Sequence, residues 1–233
     1  MAATEGHTDP CVILFAKAPA PGAVKSRLQP HIDPMAATRL YRAMAEDVVA
    51  NLKAARFPAL VVFFTPPQSE AEIGRWLPVS RRVPQEGTDL GERMLRAFAW
   101  ARDRGHDRTV IVGSDIPTLR GATVDEALRA LADADVVLGP SEDGGYYLVG
   151  ARAPHRELFE GVAWGTDAVL ERTLANASAA GLSVRLLAEE QDVDTYDDVL
   201  ALRTSLSEQA ARGSAPRTAA VLDELFDGTA GKP

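Results

Sequence analysis

The stretch Val12–Leu28, VILFAKAPAPGAVKSRL, decides how the rest of the chain is read. Val12–Phe15 is a continuous apolar run, as a strand buried on both faces of a sheet requires. It opens directly into a loop that Pro19, Pro21 and Gly22 stiffen and turn, and that Lys17, Lys25 and Arg27 charge. In a doubly wound α/β protein, a loop at the carboxyl end of a strand faces the crevice where ligands bind. Backbone N–H groups and cations in such a loop suit phosphate. The loop has neither the GxxxxGK[ST] nor the GxGxxG spacing. Taken alone, the segment reads equally as a solvated basic loop.

Working outward, Asp33 and Pro34 make an N-cap and a first helical residue. Met35, Leu40, Met44, Val48 and Leu52 then form an apolar stripe. Ala59–Phe64 is a second buried strand, and Arg82–Gln85 is a weak one. Ser69 with Glu72, and Thr123 with Glu126, read as capping boxes, the second opening a helix over Val124–Leu131. Leu90–Ala101 is amphipathic, with Gly105 as its stop. Thr109–Val112 is a strand that runs into Gly113-Ser114-Asp115. Asp135–Leu138 and Tyr146–Val149 flank the tight-turn signal Glu142-Asp143-Gly144-Gly145. Asp167–Ala180 is a helix ending at Gly181, and Val184–Leu187 is the last strand. Thr195 with Asp198 caps the helix that follows. Strands alternating with helices predict an α/β fold: a mostly parallel, doubly wound sheet with helices on both faces. The turn near residue 144 adds an antiparallel hairpin at the edge of the site.

The 233 residues, 46% of them hydrophobic, suit one large α/β domain, expected over 11–206. Residues 1–10 read as a polar tail, and 207–233 as an extension with a short helix over Ala215–Phe226 and a frayed end. The net charge of −8 opposes a nucleic-acid footprint. Cys11, the single cysteine, reads as a buried small hydrophobe and allows no internal disulfide. One Cys and four scattered His make no zinc cluster. No signal-peptide pattern and no apolar run of about 20 residues is present, so a cytoplasmic protein without a membrane span is expected. Nothing in the chain specifies an oligomeric state.

Four segments carry chemistry. Asp115 ends a strand before Pro117, as a turn former would; it is also placed to ligate Mg²⁺ or Mn²⁺, with Ser114 beside it on the nucleotide side. Such a cation takes few carboxylates and completes its shell with water and phosphate oxygens. The second carboxylate comes from DVDTYDDV (Asp192–Val199). Asp197 and Asp198 lie in the first helical turn, where the helix dipole holds them. That leaves Asp194, and secondarily Asp192, for the cation. In PQEGTDLGER (Pro84–Arg93), Gln85, Gly87 and Asp89 are candidates for a further wall of the nucleotide pocket. Gly22, Ser26 and the three cations belong to the phosphate loop. On the acceptor side stand Asp143, as anchor or base, Tyr146, Tyr147 and Trp164. Tyr146 and Tyr147 alternate faces, so one is expected in the core and the other in the cleft.

FAKAPAPGAVKSRL, DLGERM, VGSDIPTL, EDGGYYLVG, a Trp-x-Thr and a DxDT occur in this order over Val12–Leu202. Together they resemble a bacterial family with the glycosyltransferase A fold, described variously as uncharacterised or as arsenosugar-biosynthesis glycosyltransferases. More distantly they resemble the nucleotidylyltransferases that make molybdenum-cofactor dinucleotides, CMP-sugars and the phospholactate–guanosine conjugate of coenzyme F420. The resemblance implies that Lys17, Lys25 and Arg27 cradle the donor's phosphates, and that Asp115 and Asp194 are the metal carboxylates. This chain has Trp164-Gly165-Thr166 where the family has Trp-Ser-Thr, and Lys25-Ser26-Arg27 where it has Lys-Thr-Arg.

The expected activity is metal-dependent glycosyl transfer from a nucleotide sugar to a small-molecule acceptor, with Lys25, Asp115 and Asp143 in catalytic places. The enzyme alternative is nucleotidyl transfer from an NTP with release of pyrophosphate. The non-enzyme alternative is a nucleotide-binding module. A loop charge such as Lys25 is expected to affect nucleotide affinity and leave the melting temperature nearly unchanged.

Overall fold

A computed structural model describes residues 9–227. The polar start of the N-terminal tail and the segment past Asp227, expected to fray, lie outside the described residues. The elements run β1 (Cys11–Lys17), α1 (Pro34–Ala54), β2 (Ala59–Thr65), α2 (Glu70–Trp76), β3 (Arg81–Pro84), α3 (Leu90–Arg102), β4 (Thr109–Val112) and α4 (Gly121–Ala130). Then come β5 (Val136–Pro140), β6 (Tyr146–Ala151), α5 (Val169–Ala179), β7 (Val184–Leu186), α6 (Tyr196–Ser205), α7 (Gln209–Ser214) and α8 (Pro216–Asp227).

The seven strands form one sheet in the order β3-β2-β1-β4-β6-β5-β7. β6 pairs antiparallel with β4 and β5, and every other pair is parallel. The order reverses between β1 and β4, which places the topological switch point at their carboxyl ends. Their register, Leu14 beside Val112, sets the basic loop next to Gly113–Asp115.

Alternation along the strands builds two cores. Val12, Leu14, Val62, Phe64, Val110 and Val112 face one side, where buried residues of α1, α2 and α4 cover them. Cys11, Ile13, Val61, Phe63, Ile111 and Val149 face the other, under α3 and α5. Cys11 is buried, and burial pushes its thiol up to about 12. A third cluster lies on the far side of α1, where Leu40 and Met44 meet Val199 and Leu202 of α6 and Ala219 and Leu222 of α8. The fully buried Asp47 fixes α8 there by accepting from the Thr218 N–H and hydroxyl, each at 2.8 Å. Among the described residues no helix is long and apolar enough to cross a membrane.

Local signals differ in how they fare. Asp33 caps α1, accepting from the N–H groups of Met35 and Ala36. Thr195 and Asp198 form a reciprocal capping box at α6. The other two boxes do not form. Ser69 closes a 3₁₀ turn at ψ 9° and makes no cap hydrogen bond. Thr123 lies inside α4, which begins two residues earlier at Gly121. α5 begins at Val169 rather than Asp167, because the chain turns tightly through Gly165 first. Met35 is 60% exposed at the first turn of α1, so the stripe starts at Leu40.

Candidate active site

Three chain segments meet at the switch point, and backbone contacts bring them there. The Gly113 N–H bonds to the Tyr147 carbonyl at 3.2 Å, laying the end of β4 against β6. The Val193 N–H bonds to the Asp115 carbonyl at 3.2 Å, drawing 192–194 alongside. The basic loop arrives from β1, and Lys25 takes the left-handed conformation, φ 48°, ψ 44°. That region disfavours a residue with a Cβ. Its stem nevertheless runs inward, and the ammonium sits 2.5 Å from Asp115 Oδ1 and 2.8 Å from Asp194 Oδ1.

Lys25 is therefore not a surface charge: its side chain is 4% exposed, against 40% for each carboxylate. Burial disfavours the ammonium, but Asp115 and Asp194 outweigh it and hold the Lys25 pKa above its ordinary value. Burial likewise pushes Asp194 up, and Lys25 with Arg27 brings it net below the usual carboxylate range. Asp192 also feels the Lys25 ammonium, but less than it feels the groups that oppose its charge. Burial and the carboxylates of Asp143, Asp194 and Asp115 raise it to about 6.

Two cavities open on either side of Asp115. One, of about 420 Å³, is lined by Lys17, Lys25, Ser26, Arg27, Gln85 and Ser114. These are the expected nucleotide-side residues. Gly22 shapes the loop at φ 81° but lies outside the lining. Gly87 and Asp89 do not reach the cavity. Asp89 instead caps α3 by accepting from the Glu92 N–H, and the Gly87 carbonyl accepts from Arg93. Tyr41, which the sequence reading missed, lines the same cavity. Its hydroxyl meets the N–H and carbonyl of Lys17 at 2.8 and 3.0 Å and receives the Ser114 hydroxyl at 3.3 Å. It thus ties the start of the basic loop to the end of β4. The available signal was one hydroxyl-bearing ring beside Leu40 on the buried face of α1.

The other cavity, of about 320 Å³, takes in Asp115, Asp143, Asp192, Tyr146, Tyr147 and Trp164. Its lining includes no Lys, Arg or His. Asp143 Oδ1 accepts from the Ser141 hydroxyl at 2.6 Å and the Gly145 N–H at 2.9 Å, which stiffens the turn. Tyr147 is almost wholly in the core, its hydroxyl on the Ala188 carbonyl, and Tyr146 packs beneath α5. Trp164 is held edge-on to Tyr146, with centroids 6.4 Å apart, and against Phe159.

A divalent cation fits here in a limited way. Among the described residues no three Asp, Glu, His or Cys side chains converge to hold one alone. Asp115 and Asp194 supply hard oxygen donors from two segments, and Asp192 and Asp143 add uncompensated charge nearby. Two carboxylates completed by phosphate oxygens and water match how Mg²⁺ is ordinarily held.

Comparison with solved structures places the chain among nucleotide-handling folds. It is 36% identical to a candidate nucleotide-diphospho-sugar transferase from Desulfovibrio desulfuricans G20, covering 92% of this chain and 94% of that one at a TM-score of 0.85. The fold is also that of a CMP-2-keto-3-deoxy-manno-octonic acid synthetase complexed with CTP (12% identity, TM-score 0.56, 86% and 99% coverage). It is shared too by Rv0371c of Mycobacterium tuberculosis H37Rv, crystallised with manganese (22% identity, TM-score 0.52, 85% and 100% coverage). A family model, DUF2064, described as an uncharacterised protein conserved in bacteria, matches residues 48–166. The chain belongs to this bacterial family, DUF2064, and shares the glycosyltransferase A fold that its motifs resemble.

Proposed function

We propose that the protein is a metal-dependent glycosyltransferase that takes a nucleotide-sugar donor and a small neutral acceptor. The observation that carries this reading is the asymmetry about Asp115. Every Lys and Arg lining the site is on one side, and the other side adds Asp143 and Asp192 to the shared Asp115, with an aromatic wall. The diphosphate of a donor suits the first side, where Lys17, Lys25 and Arg27 offer cations. A phosphorylated or carboxylated second substrate would meet uncompensated like charge on the other. A neutral sugar or small apolar acceptor can instead lie against Trp164 and Tyr146.

Lys25 and Arg27 supply positive charge where negative charge grows on the departing diphosphate. Mg²⁺ or Mn²⁺, when held by Asp115 and Asp194, would add Lewis-acid neutralisation of that charge. Ser114 and Tyr41 keep the end of β4 and the start of the basic loop in register. Asp143 orients the acceptor turn through Ser141 and Gly145. Asp192, which lines the acceptor cavity and makes no hydrogen bond among the described residues, is the carboxylate suited to take an acceptor proton.

The likeness in fold to a CTP-bound synthetase favours a second reading, nucleotidyl transfer with release of pyrophosphate. A melting-temperature panel of nucleotide sugars and NTPs with Mg²⁺ or Mn²⁺ separates the two. A ligand that binds only the native state raises the melting point by mass action. A larger rise with one nucleotide sugar than with its parent NTP supports the first reading; the reverse order supports the second.

A further inference from the structure

We infer that, in the ligand-free protein, the Lys25 ammonium is the resident occupant of the place a divalent cation would take between Asp115 and Asp194. The inference rests on the proposed function only in treating those two carboxylates as the metal-binding pair.

The geometry is that of a bound cation. One positive centre lies 2.5 Å from an oxygen of Asp115 and 2.8 Å from an oxygen of Asp194. Its stem is buried, whereas Arg27, at 3.8 Å from Asp194 Oδ2, is 62% exposed and reaches in from the rim. The left-handed backbone at Lys25, held without glycine, aims the side chain at the carboxylates rather than out of the loop. A non-glycine residue persists in that region only when its surroundings hold it there. The two contacts to the carboxylates are part of those surroundings.

A divalent ion and a buried ammonium cannot share these two oxygens without strong repulsion. The ion therefore enters as Lys25 moves onto another anion. Lys25 also lines the basic cavity, so the phosphates of a donor are within reach to receive it. Cation and diphosphate then favour each other's binding, and the coupling is reciprocal. The free protein holds metal weakly by design, and donor entry unmasks the pair.

The test is Mn²⁺ binding to the full-length, metal-stripped protein, read by loss of the free-ion electron paramagnetic resonance signal, with no nucleotide or acceptor present. Lys25→Gln keeps an N–H donor without the charge; Lys25→Met keeps only the stem. Both are expected to bind one Mn²⁺ at least tenfold more tightly than the wild type. Asp115→Asn placed in the Lys25→Gln background is expected to abolish the gain. Should one variant fail to fold, the other carries the measurement. Equal Mn²⁺ affinity in wild type and variant would overturn the inference, and so would a gain that survives Asp115→Asn. No Mn²⁺ binding by any form would remove the carboxylate pair as a cation site. None of these results depends on which group is transferred, so failure here and failure of the glycosyl reading remain distinct.

Discussion

Lys25 Nζ donates to Asp194 Oδ1 across 2.8 Å, joining residues 169 positions apart in the chain. The contact closes the site, because it locks the loop after β1 to the segment that enters α6. Asp115 shares the same ammonium at 2.5 Å. Lys25→Ala is therefore expected to destabilise the metal-free protein. Charged hydrogen bonds contribute about 1.5–3 kcal/mol, and the partly exposed carboxylates put the loss near the low end. The pKa shifts fix the pH window. Lys25 is raised, so its share is full below the unfolded lysine value of about 10.4 and is lost as pH rises through the folded value. Asp194 is lowered, so its share is present above about pH 3.9 and is lost as pH falls through the folded value. Denaturant melts should show a wild-type advantage that is flat from about pH 5 to 9 and shrinks in acid. An advantage that grows in acid would contradict this account.

Arg27 should behave in the opposite way. It is largely exposed and touches Asp194 only at 3.8 Å. Arg27→Ala is expected to change stability by less than about 0.5 kcal/mol. It should weaken nucleotide binding, most visibly at low salt, where surface charge is least screened. Calorimetry at two ionic strengths on the ligand found by the melting panel checks both halves.

Asp192 carries a cost that the fold accepts. Its folded pKa of about 6 lies above the unfolded carboxylate value, so the native state loses stability from this group as pH rises through that interval. Asp192→Asn is expected to raise stability at pH 7 by about 1 kcal/mol, after allowing for solvent screening. The gain should shrink as pH falls and vanish below about pH 3, where both states are protonated. Melting temperatures with a chelator present would settle it; a gain independent of pH would show that packing is the cause.

Gly91 holds the aromatic wall in place. A Cβ there would lie 2.7 Å from the Trp164 ring and 2.9 Å from Phe159 Cβ. Alanine favours the helix by about 0.5–1 kcal/mol, but overpacking costs about 1–3 kcal/mol, so the ring must shift. Gly91→Ala should red-shift tryptophan emission and change the near-ultraviolet circular dichroism, while Mn²⁺ affinity stays at the wild-type value. An unchanged spectrum would show that Trp164 is positioned by other contacts.

Much of this architecture is written in short-range signals. Continuous apolar runs locate β1, β2 and β4, because strands buried on both faces leave no polar alternation. Asp33-Pro34 and Thr195 with Asp198 mark helix starts, because each side chain satisfies backbone N–H groups that have no other partner. The same logic overcalls at Ser69 and Thr123: a capping pair needs a helix that begins there, and tertiary packing starts α2 and α4 elsewhere. Asp115 is legible as a strand-end residue, and Asp194 as the acidic residue just before the capped helix α6. Their shared partner is not, since nothing local tells a buried lysine from its exposed neighbours in the same loop. Tyr41 escapes for a similar reason: its role depends on Lys17 and Ser114 meeting at the switch point. Gly87 and Asp89 sit at the start of α3, where a glycine-rich approach to a helix serves capping as readily as ligand binding.

Sugar transfer and nucleotidyl transfer differ in their leaving group. The purified protein with Mg²⁺ or Mn²⁺ should be incubated separately with nucleotide sugars and with NTPs, and the products resolved by ion-exchange chromatography. Glycosyl transfer gives slow, metal-dependent release of a nucleoside diphosphate or monophosphate from one nucleotide sugar even without the true acceptor. This release should be abolished in Asp115→Asn. Pyrophosphate release from an NTP in the presence of a phosphorylated or carboxylated co-substrate, with no turnover of any nucleotide sugar, would contradict the account.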